Sequence, residues 1–400
     1  MHKFLTDTHR KYFNKEAVMF NNYNYSKETA VRVPVNTVEI YHAGGEFWYS
    51  HSPYVVWFKN RLVVMWLVNA IDEEENGQDV LLSYSDDFLH WTTPVKLPVD
   101  DEFRRKGMLY SGGFKVSGDM LVLYFAYSEY VVPLKAGEKR ENFEQKNTRT
   151  YCITTEDCIH FSDPIDLNID VLCIDPPQTT STGKVVMASD FIFPWTDDQN
   201  GLTGFHKASF HSREVYENYP DNSVTQYQVG KFAGLDVNLI EASLLDYGDG
   251  HLKMLIRSRD TRNFVQYENE MYTHNVSDNL YATDSTDGMN WSPIYRTDFT
   301  NNDSKFNAGR LSDGRFYIVS NPDRLGLRLP LVISLSEDGE NFTKHYIVRE
   351  DFNNIRLMGR FKQYGCQYPF TIEHDGWLFI VYSVCKEDVH ITRISLKDLR

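Results

Sequence analysis
The chain has 400 residues, 41 Lys and Arg against 56 Asp and Glu, a formal charge of −15, and 14% aromatic residues. So acidic a surface repels phosphate backbones and anionic headgroups, which excludes nucleic acid and membranes as expected partners. No apolar run approaches the roughly 20 residues that a membrane-spanning helix needs.

Residues 1–30 read as a polar, irregular lead-in whose start, MHKFLTDTHRKYFNKEA, lacks the apolar core of a signal peptide. The sequence as it stands therefore reads as cytoplasmic, or as periplasmic or secreted if a signal peptide was removed. From there on, helical periodicity is almost absent. Short β-branched and aromatic runs alternate with Asp, Gly and Asn turns: SPYVVWF, RLVVMWLV, DVLLSYS, MLVLYFAYS, HLKMLIRS, RFYIVSN, PLVISLS and WLFIVYS. This is the pattern of many short strands.

A turn motif recurs along these runs. Ser85-Asp86-Asp87-Phe88-Leu89-His90-Trp91 returns as Thr155-Glu156-Asp157-Cys158-Ile159-His160-Phe161, as Ser285-Thr286-Asp287-Gly288-Met289-Asn290-Trp291, and as Ser336-Glu337-Asp338-Gly339-Glu340-Asn341-Phe342. The hydroxyl and carboxylate bond the turn backbone while the ring tucks beneath it, which describes a hairpin tip. Phe88 and Cys158 stand where the other copies have glycine, so those two turns are expected to differ in type.

The motif rings at positions 91, 161, 291 and 342 leave one gap wide enough for a further unit around 180–235, and another unit follows at 365–393. Six units of about 50 residues are thus readable, and the strands of 30–50 complete a seventh. Four-stranded repeats at this period are the blades of a β-propeller. The expected fold is all-β, one propeller domain over 1–400, seven-bladed. The charged stretch at 135–147 is read as an insertion between two strands. The five cysteines are odd in number and lack any CxxC pair, which points to buried thiols rather than to disulfides or a zinc site.

The first strand of each blade lines the channel. Aligning those strands gives a ring of polar residues: His51, Ser111, Asp190, Glu241, Asn307 and Gln367. Polar groups on an otherwise apolar innermost strand must be paired, so they mark either a water-filled plug or a ligand site. Two chemistries fit. Asp190 and Glu241 are paired carboxylates suited to glycoside hydrolysis. Alternatively His51, with a tyrosine from Tyr124, Tyr127 or Tyr130 and an arginine from Arg149, Arg213 or Arg257, is suited to removing a proton α to a uronic carboxylate. The acidic run Asp72-Glu73-Glu74-Glu75 reads as a solvated loop.

The opening unit YSHSPYVVWFKNRLVVMWLVNAIDEEENGQDVLLSYSDDFLHW, the stretches LIEASLL and FNAGRLSDGRFYIVSNP, and the closing GCQYPFTIEHDGWLFIVYSVCKEDVHITRI together resemble a known family. It is that of the sialidase-like propellers acting on L-rhamnose-α-1,4-D-glucuronate ends, which comprises lyases and α-L-rhamnosidases and is related to ulvan lyases. The resemblance spans roughly 45–395. It implies seven blades, an acidic oligosaccharide as substrate, no required cofactor, and in some members a channel calcium. By resemblance, His51 matches a catalytic histidine, Tyr127 or its neighbours the lyase tyrosine, Arg149 the carboxylate-binding arginine, and Arg213 a second arginine. Arg257, Glu241, Asp190, Asn307 and Gln367 complete the substrate-binding set. Asn69-Ala70-Ile71 stands where some relatives have a second histidine. The expected reaction is β-elimination at a rhamnosyl-glucuronate linkage, with an exo-acting hydrolase or a non-catalytic glycan-binding propeller as alternatives.

Overall fold
The computed structural model describes residues 23–130, 145–190, 192–208, 238–259, 264–266, 272–274, 279–323, 328–359 and 361–400. Within them, six antiparallel sheets follow one another along the chain, and a two-stranded hairpin, Phe264–Gln266 with Tyr272–His274, is inserted in the fourth. The innermost strands are Tyr49–Phe58, Gly107–Ser117, Asp175–Thr179, Asn238–Asp246, Asn307–Arg310 and Cys366–His374.

Hydrogen bonds between consecutive sheets close the ring. Ser111 Oγ donates to the Ser52 carbonyl (2.6 Å), Cys173 Sγ to the Gly112 carbonyl (3.1 Å), and Ser243 Oγ to Asp175 (2.7 Å). The Ala308 amide donates to Ser243 Oγ (3.0 Å), and Asn321 Nδ2 to the Cys366 carbonyl (3.2 Å). His51 Nδ1 and Ser383 Oγ, 2.9 Å apart, join the sixth sheet to the first. The strand Asn36–Tyr41 becomes the outer strand of the sixth sheet, beside Asp388–Ser395, instead of opening a sheet of its own. The six readable units are therefore the six sheets, and among the described residues the strands expected to supply a seventh complete the sixth. Val31–Arg32 adds in parallel to the outer edge of the fifth.

Second strands such as Arg61–Asn69 and Trp377–Val384 are buried on both faces, because each sheet is packed between two others. This explains continuous apolar runs where a half-exposed strand would alternate. The core is accordingly divided into wedges between neighbouring sheets. Tyr54, Met65, Leu109 and Phe125 fill the first, and Leu245, Leu280, Phe306 and Ile318 fill the one between the fourth and fifth. All five cysteines are free and buried. Burial pushes the thiols of Cys152 and Cys366 up to about 12.

The four turn motifs form the tips between third and fourth strands. In each, one oxygen of the aspartate accepts two backbone amides; Asp338 Oδ1 takes those of Glu340 and Asn341, both at 2.8 Å. His90 and His160 bond the aspartate through Nδ1 at 2.7 Å, where Asn290 and Asn341 use Nδ2. The expected difference in turn type is not found. Phe88 (φ 74°) and Cys158 (φ 60°) share the left-handed backbone of Gly288 (72°) and Gly339 (78°). Burying those two side chains against the core offsets the conformational cost. Glycine is needed at 339, where a Cβ would approach the Tyr247 ring to 2.7 Å.

These tips make a checkable contribution to stability. Burial alone raises the Asp338 carboxyl, but hydrogen bonds from Asn341 and from the turn amides push it down to about 2. A depressed carboxyl stabilises the fold above its ordinary range, and that contribution is lost as pH falls towards 2. Asp338→Ala is expected to cost about 1–2 kcal/mol at neutral pH in urea unfolding, with the difference from wild type shrinking below pH ~4.

Candidate functional site
The innermost strands share a second feature. In the first, second, third, fourth and sixth sheets the register against the second strand shifts near the channel, after His51, Ser111, Asp175, Ile240 and Gln367. Such bulges bend the strand and re-aim the extra side chain. Ser52 (φ 46°), Glu241 (φ 55°) and Tyr368 (φ 53°) occupy these positions in left-handed conformation. Non-glycine residues held this way cost of order 1–3 kcal/mol each and concentrate at functional sites. The Glu241 amide is held by Asp190 Oδ1 at 3.1 Å.

Glu241 and Tyr368 meet. The Tyr368 hydroxyl donates to one oxygen of Glu241, and Arg257 Nη1 donates to the other. Arg257 lies on the second strand of the fourth sheet, paired in register with Ile240, and its Nη1 is also 3.1 Å from the Tyr368 hydroxyl. Asp303, in the connection to the fifth sheet, takes Arg257 Nε and Nη2 at 3.0 and 2.7 Å. Arg257 is fully buried. Burial opposes its charge, but Asp303 and Glu241 raise its pKa well above the usual value. Tyr368 titrates above the ordinary phenol range, first because it is buried and then because Glu241 is negative.

Arg328 completes the cluster. Its guanidinium lies 5.5 Å from the centre of the Tyr368 ring, and its Nη1 donates to Gln367 Oε1 at 2.7 Å. Burial, and next the like charge of Arg257, lower its pKa. On the other side, Lys386 pairs with Glu73 at 2.7 Å and lies 5.9 Å from the Tyr368 ring centre. Asp72 accepts the amides of Glu73 (3.0 Å) and Phe361 (3.1 Å). The acidic run expected as a solvated loop is thus in part a buried clamp between the first and sixth sheets.

The structure brings His51, Asp190, Glu241, Arg257 and Gln367 to this cluster. His51 is fully buried, its ring 3.8 Å from that of Tyr368, with Nε2 unpartnered among the described residues. Burial, then Lys386 and Arg328, hold its pKa well below the ordinary value, so the imidazole is neutral. It supports Tyr368 from below and does not face solvent.

Asn307 belongs to a deeper plug, donating to Asp175 Oδ2 at 3.4 Å. Asp175 also pairs with Lys305 at 2.6 Å, so the buried channel carboxylate is already matched by an ammonium. Ser111 is used in the bond to Ser52 described above.

Tyr127 and Arg149 lie elsewhere. Tyr127 is buried on the second strand of its sheet against Phe103. Arg149, its cross-strand neighbour, points to the outer edge, bonding Asn168 (2.8 Å) and Asp166 (3.0 Å). They stand strands away from His51 because they come from the second and third strands of the second sheet, not from its innermost one. The Tyr124 hydroxyl is spent on the Gly201 carbonyl at 3.0 Å. Arg213 lies outside the described residues, as does most of the 135–147 insertion.

Glu39, Asp388 and His390 place ligand-type atoms within 4.8 Å of one another at the outer edge of the sixth sheet. Asp388 is, however, paired with Arg356, and His390 Nδ1 lies 3.2 Å from Arg349 Nη1. A cation there would compete with two guanidinium groups.

Sequence reasoning missed Tyr368, Asp303 and Arg328. One signal for Tyr368 was present: Cys366-Gln367-Tyr368-Pro369-Phe370 parallels Ser50-His51-Ser52-Pro53-Tyr54. The residue before proline, not the one before that, is the bulge.

A family model described as a BNR repeat-like domain matches residues 60–380. No curated protein matches the chain. Among solved structures it is similar to a sialidase at TM-score 0.61 and 20% identity, over 95% of this chain and 35% of that one. It is similar to a protein of unknown function from Dyadobacter fermentans at 0.59 and 14%, over 90% and 98%. It is also similar to Trypanosoma rangeli sialidase in complex with sialic acid at 0.60 and 11%, over 93% and 60%. The chain spans about a third of the first sialidase's length, and likeness at these identities bears on the fold alone.

Proposed function
The chain belongs to the family of BNR repeat-like domains, and from that premise we propose that it is a glycan-active enzyme releasing a terminal acidic sugar, with Tyr368 as the reacting group. The observation that carries this reading is the position of the Tyr368 hydroxyl, which donates to Glu241 while Arg257 touches both. Tyrosine serves as nucleophile in some glycoside hydrolases. As the phenolic oxygen forms its bond to the anomeric carbon, Glu241 takes the proton, Arg257 offsets the charge developing on oxygen, and the glycosidic bond breaks, the aglycone oxygen leaving with a proton from solvent. Water then attacks the anomeric carbon and breaks its bond to the phenolic oxygen, the water hydroxyl staying on the sugar and its proton passing to solvent, while the proton held by Glu241 returns to Tyr368. The chain's similarity to sialidase structures is consistent with this chemistry.

β-Elimination is the second reading, and Arg328 favours it, because a cation beside Tyr368 suits a uronate carboxylate. Tyr368, its own proton passed to Glu241, would then remove the C5 proton from the glucuronate of a rhamnosyl-glucuronate end as the C4–O bond breaks to leave a C4–C5 double bond, and the proton on Glu241 would go to the departing rhamnose oxygen.

The two readings separate by product. Glycans capped with sialate, rhamnosyl-glucuronate and other uronates are incubated with the protein, and both free sugar and the ultraviolet absorbance of an unsaturated uronate are followed. Free terminal sugar with a flat trace is the expected result. A rising trace overturns hydrolysis in favour of elimination. Neither signal on any capped glycan, with binding retained, leaves a non-catalytic glycan-binding propeller.

A further inference from the structure
Among the described residues one aromatic ring is exposed, that of Phe352, at 55%. It lies in the connection 350–365, which runs from the outer strand of the fifth sheet, Lys344–Arg349, to the innermost strand of the sixth. Phe352 is stacked on Tyr364, ring centres 5.2 Å apart and planes 22° from parallel. Tyr364 is half-buried and packs on the core between the fifth and sixth sheets. The pair is a two-ring platform, anchored by its inner ring and open at its outer one.

The platform stands beside the site. The Tyr364 carbonyl accepts the Arg328 amide at 3.1 Å, and the neighbouring Gln363 carbonyl accepts Gln367 Nε2. Tyr364 precedes Tyr368 by four residues, so their Cα atoms are at most about 14 Å apart. On the other flank, Cys385 Sγ donates to the Asn353 carbonyl at 3.3 Å, and the next residue, Lys386, places its ammonium 5.9 Å from the Tyr368 ring centre.

The connection is also held in place. Glu387, 1% exposed, accepts the amides of Arg356 (3.0 Å) and Leu357 (2.9 Å) and the ammonium of Lys362 (2.8 Å). Asp72 accepts the Phe361 amide, and Asp351, next to Phe352, pairs with Arg349. A ring fixed in this way gives up little conformational entropy when a ligand covers it. The charges around it are already matched, Asp351 by Arg349 and Arg356 by Glu387 and Asp388, so the ring offers neither sign to a ligand. A neutral pyranose fits such a surface, because its C–H bonds make one face apolar while its hydroxyls stay in water.

We infer that Phe352, backed by Tyr364, is the platform of a second glycan subsite, which binds a neutral pyranose of the chain that carries the terminal acidic sugar. The inference rests on the reading of the channel as an acidic-sugar site and adds that the substrate is an oligosaccharide, gripped behind its terminal sugar as well as at it.

The test is a calorimetric titration of wild type, Phe352→Ala and Phe352→Trp. N-acetylneuraminate and D-glucuronate are each supplied as the methyl S-glycoside, which has no second sugar, and as the S-linked lactoside, which has two more; the sulfur linkage resists cleavage. For at least one acid the lactoside is expected to bind wild type about tenfold or more tightly than the methyl glycoside. Phe352→Ala is expected to lose most of that gain with a melting temperature near wild type, and Phe352→Trp to keep it. A gain as large in Phe352→Ala as in wild type, or lactosides that bind wild type no better than methyl glycosides, overturns the second subsite while the acidic-sugar reading stands. Binding of none of the four ligands to wild type overturns that reading and the subsite together.

Discussion

Tyr368→Phe is expected to lower kcat on the released-sugar assay by on the order of 10³-fold or more, with little change in KM. The ring would remain with its centre 3.8 Å from that of His51, tilted at 54° to it, and 5.5 Å from the Arg328 guanidinium. Only the oxygen between Glu241 and Arg257 is removed. The structural cost is one hydrogen-bonding group, about 1–2 kcal/mol, so the variant should fold and bind sugar. Glu241→Gln should lose roughly 10²–10⁴-fold, the range for removing a general base. The two together should lose little more than Tyr368→Phe alone, because they act on one proton. A Tyr368→Phe protein that retains wild-type kcat would place the chemistry elsewhere.

Arg257→Met carries the largest expected effect on stability, a loss of about 3–5 kcal/mol in urea unfolding. Met restores the volume but leaves Asp303 and Glu241 without the cation that both contact. The pH dependence has a definite sign. A buried carboxyl without its cation has a folded pKa above the unfolded value, so the folded state binds more protons and stability falls as pH rises. The deficit of Arg257→Met should therefore be greatest at neutral and alkaline pH and smaller towards pH ~4. Adding Asp303→Asn should recover part of the loss, since the buried charge is removed along with its partner. A single variant as stable as wild type at neutral pH would mean that the Arg257 charges are not buried as a unit.

Much of the channel was legible in the strand pattern, because a polar residue on an apolar innermost strand is conspicuous. His51, Glu241, Asn307 and Gln367 were found this way. What was lost was one residue of register. Glu241 is itself the bulge of the fourth sheet, with Ile240 in the position of His51 and Gln367. Its counterpart in the sixth sheet is therefore Tyr368, not Gln367. In the third sheet the innermost strand is Asp175–Thr179, so Asp175 takes the channel position, and Asp190 follows the second strand as support for Glu241. A period-two pattern cannot reveal a bulge, which adds a residue without changing the hydrophobic run on either side. Tyr127 and Arg149 were placed by resemblance, and the stacking of four strands per sheet carries them outward.

By itself the sequence determined the class of fold and its repeat. Four copies of one turn dictate hairpin tips wherever they occur, since each copy contains its own acceptors and its own ring. The closing of the ring was left to tertiary structure, because Asn36–Tyr41 finds its partner more than 340 residues away, at Asp388–Ser395. Tertiary structure also decided which charges are compensated. Arg257 and Tyr368 come from the fourth and sixth sheets, Asp303 from the connection between the fourth and fifth, and Arg328 from a loop within the fifth, and no local pattern tells which carboxylates a buried arginine will meet. Charge balance in a low-dielectric channel is a property of the assembled ring.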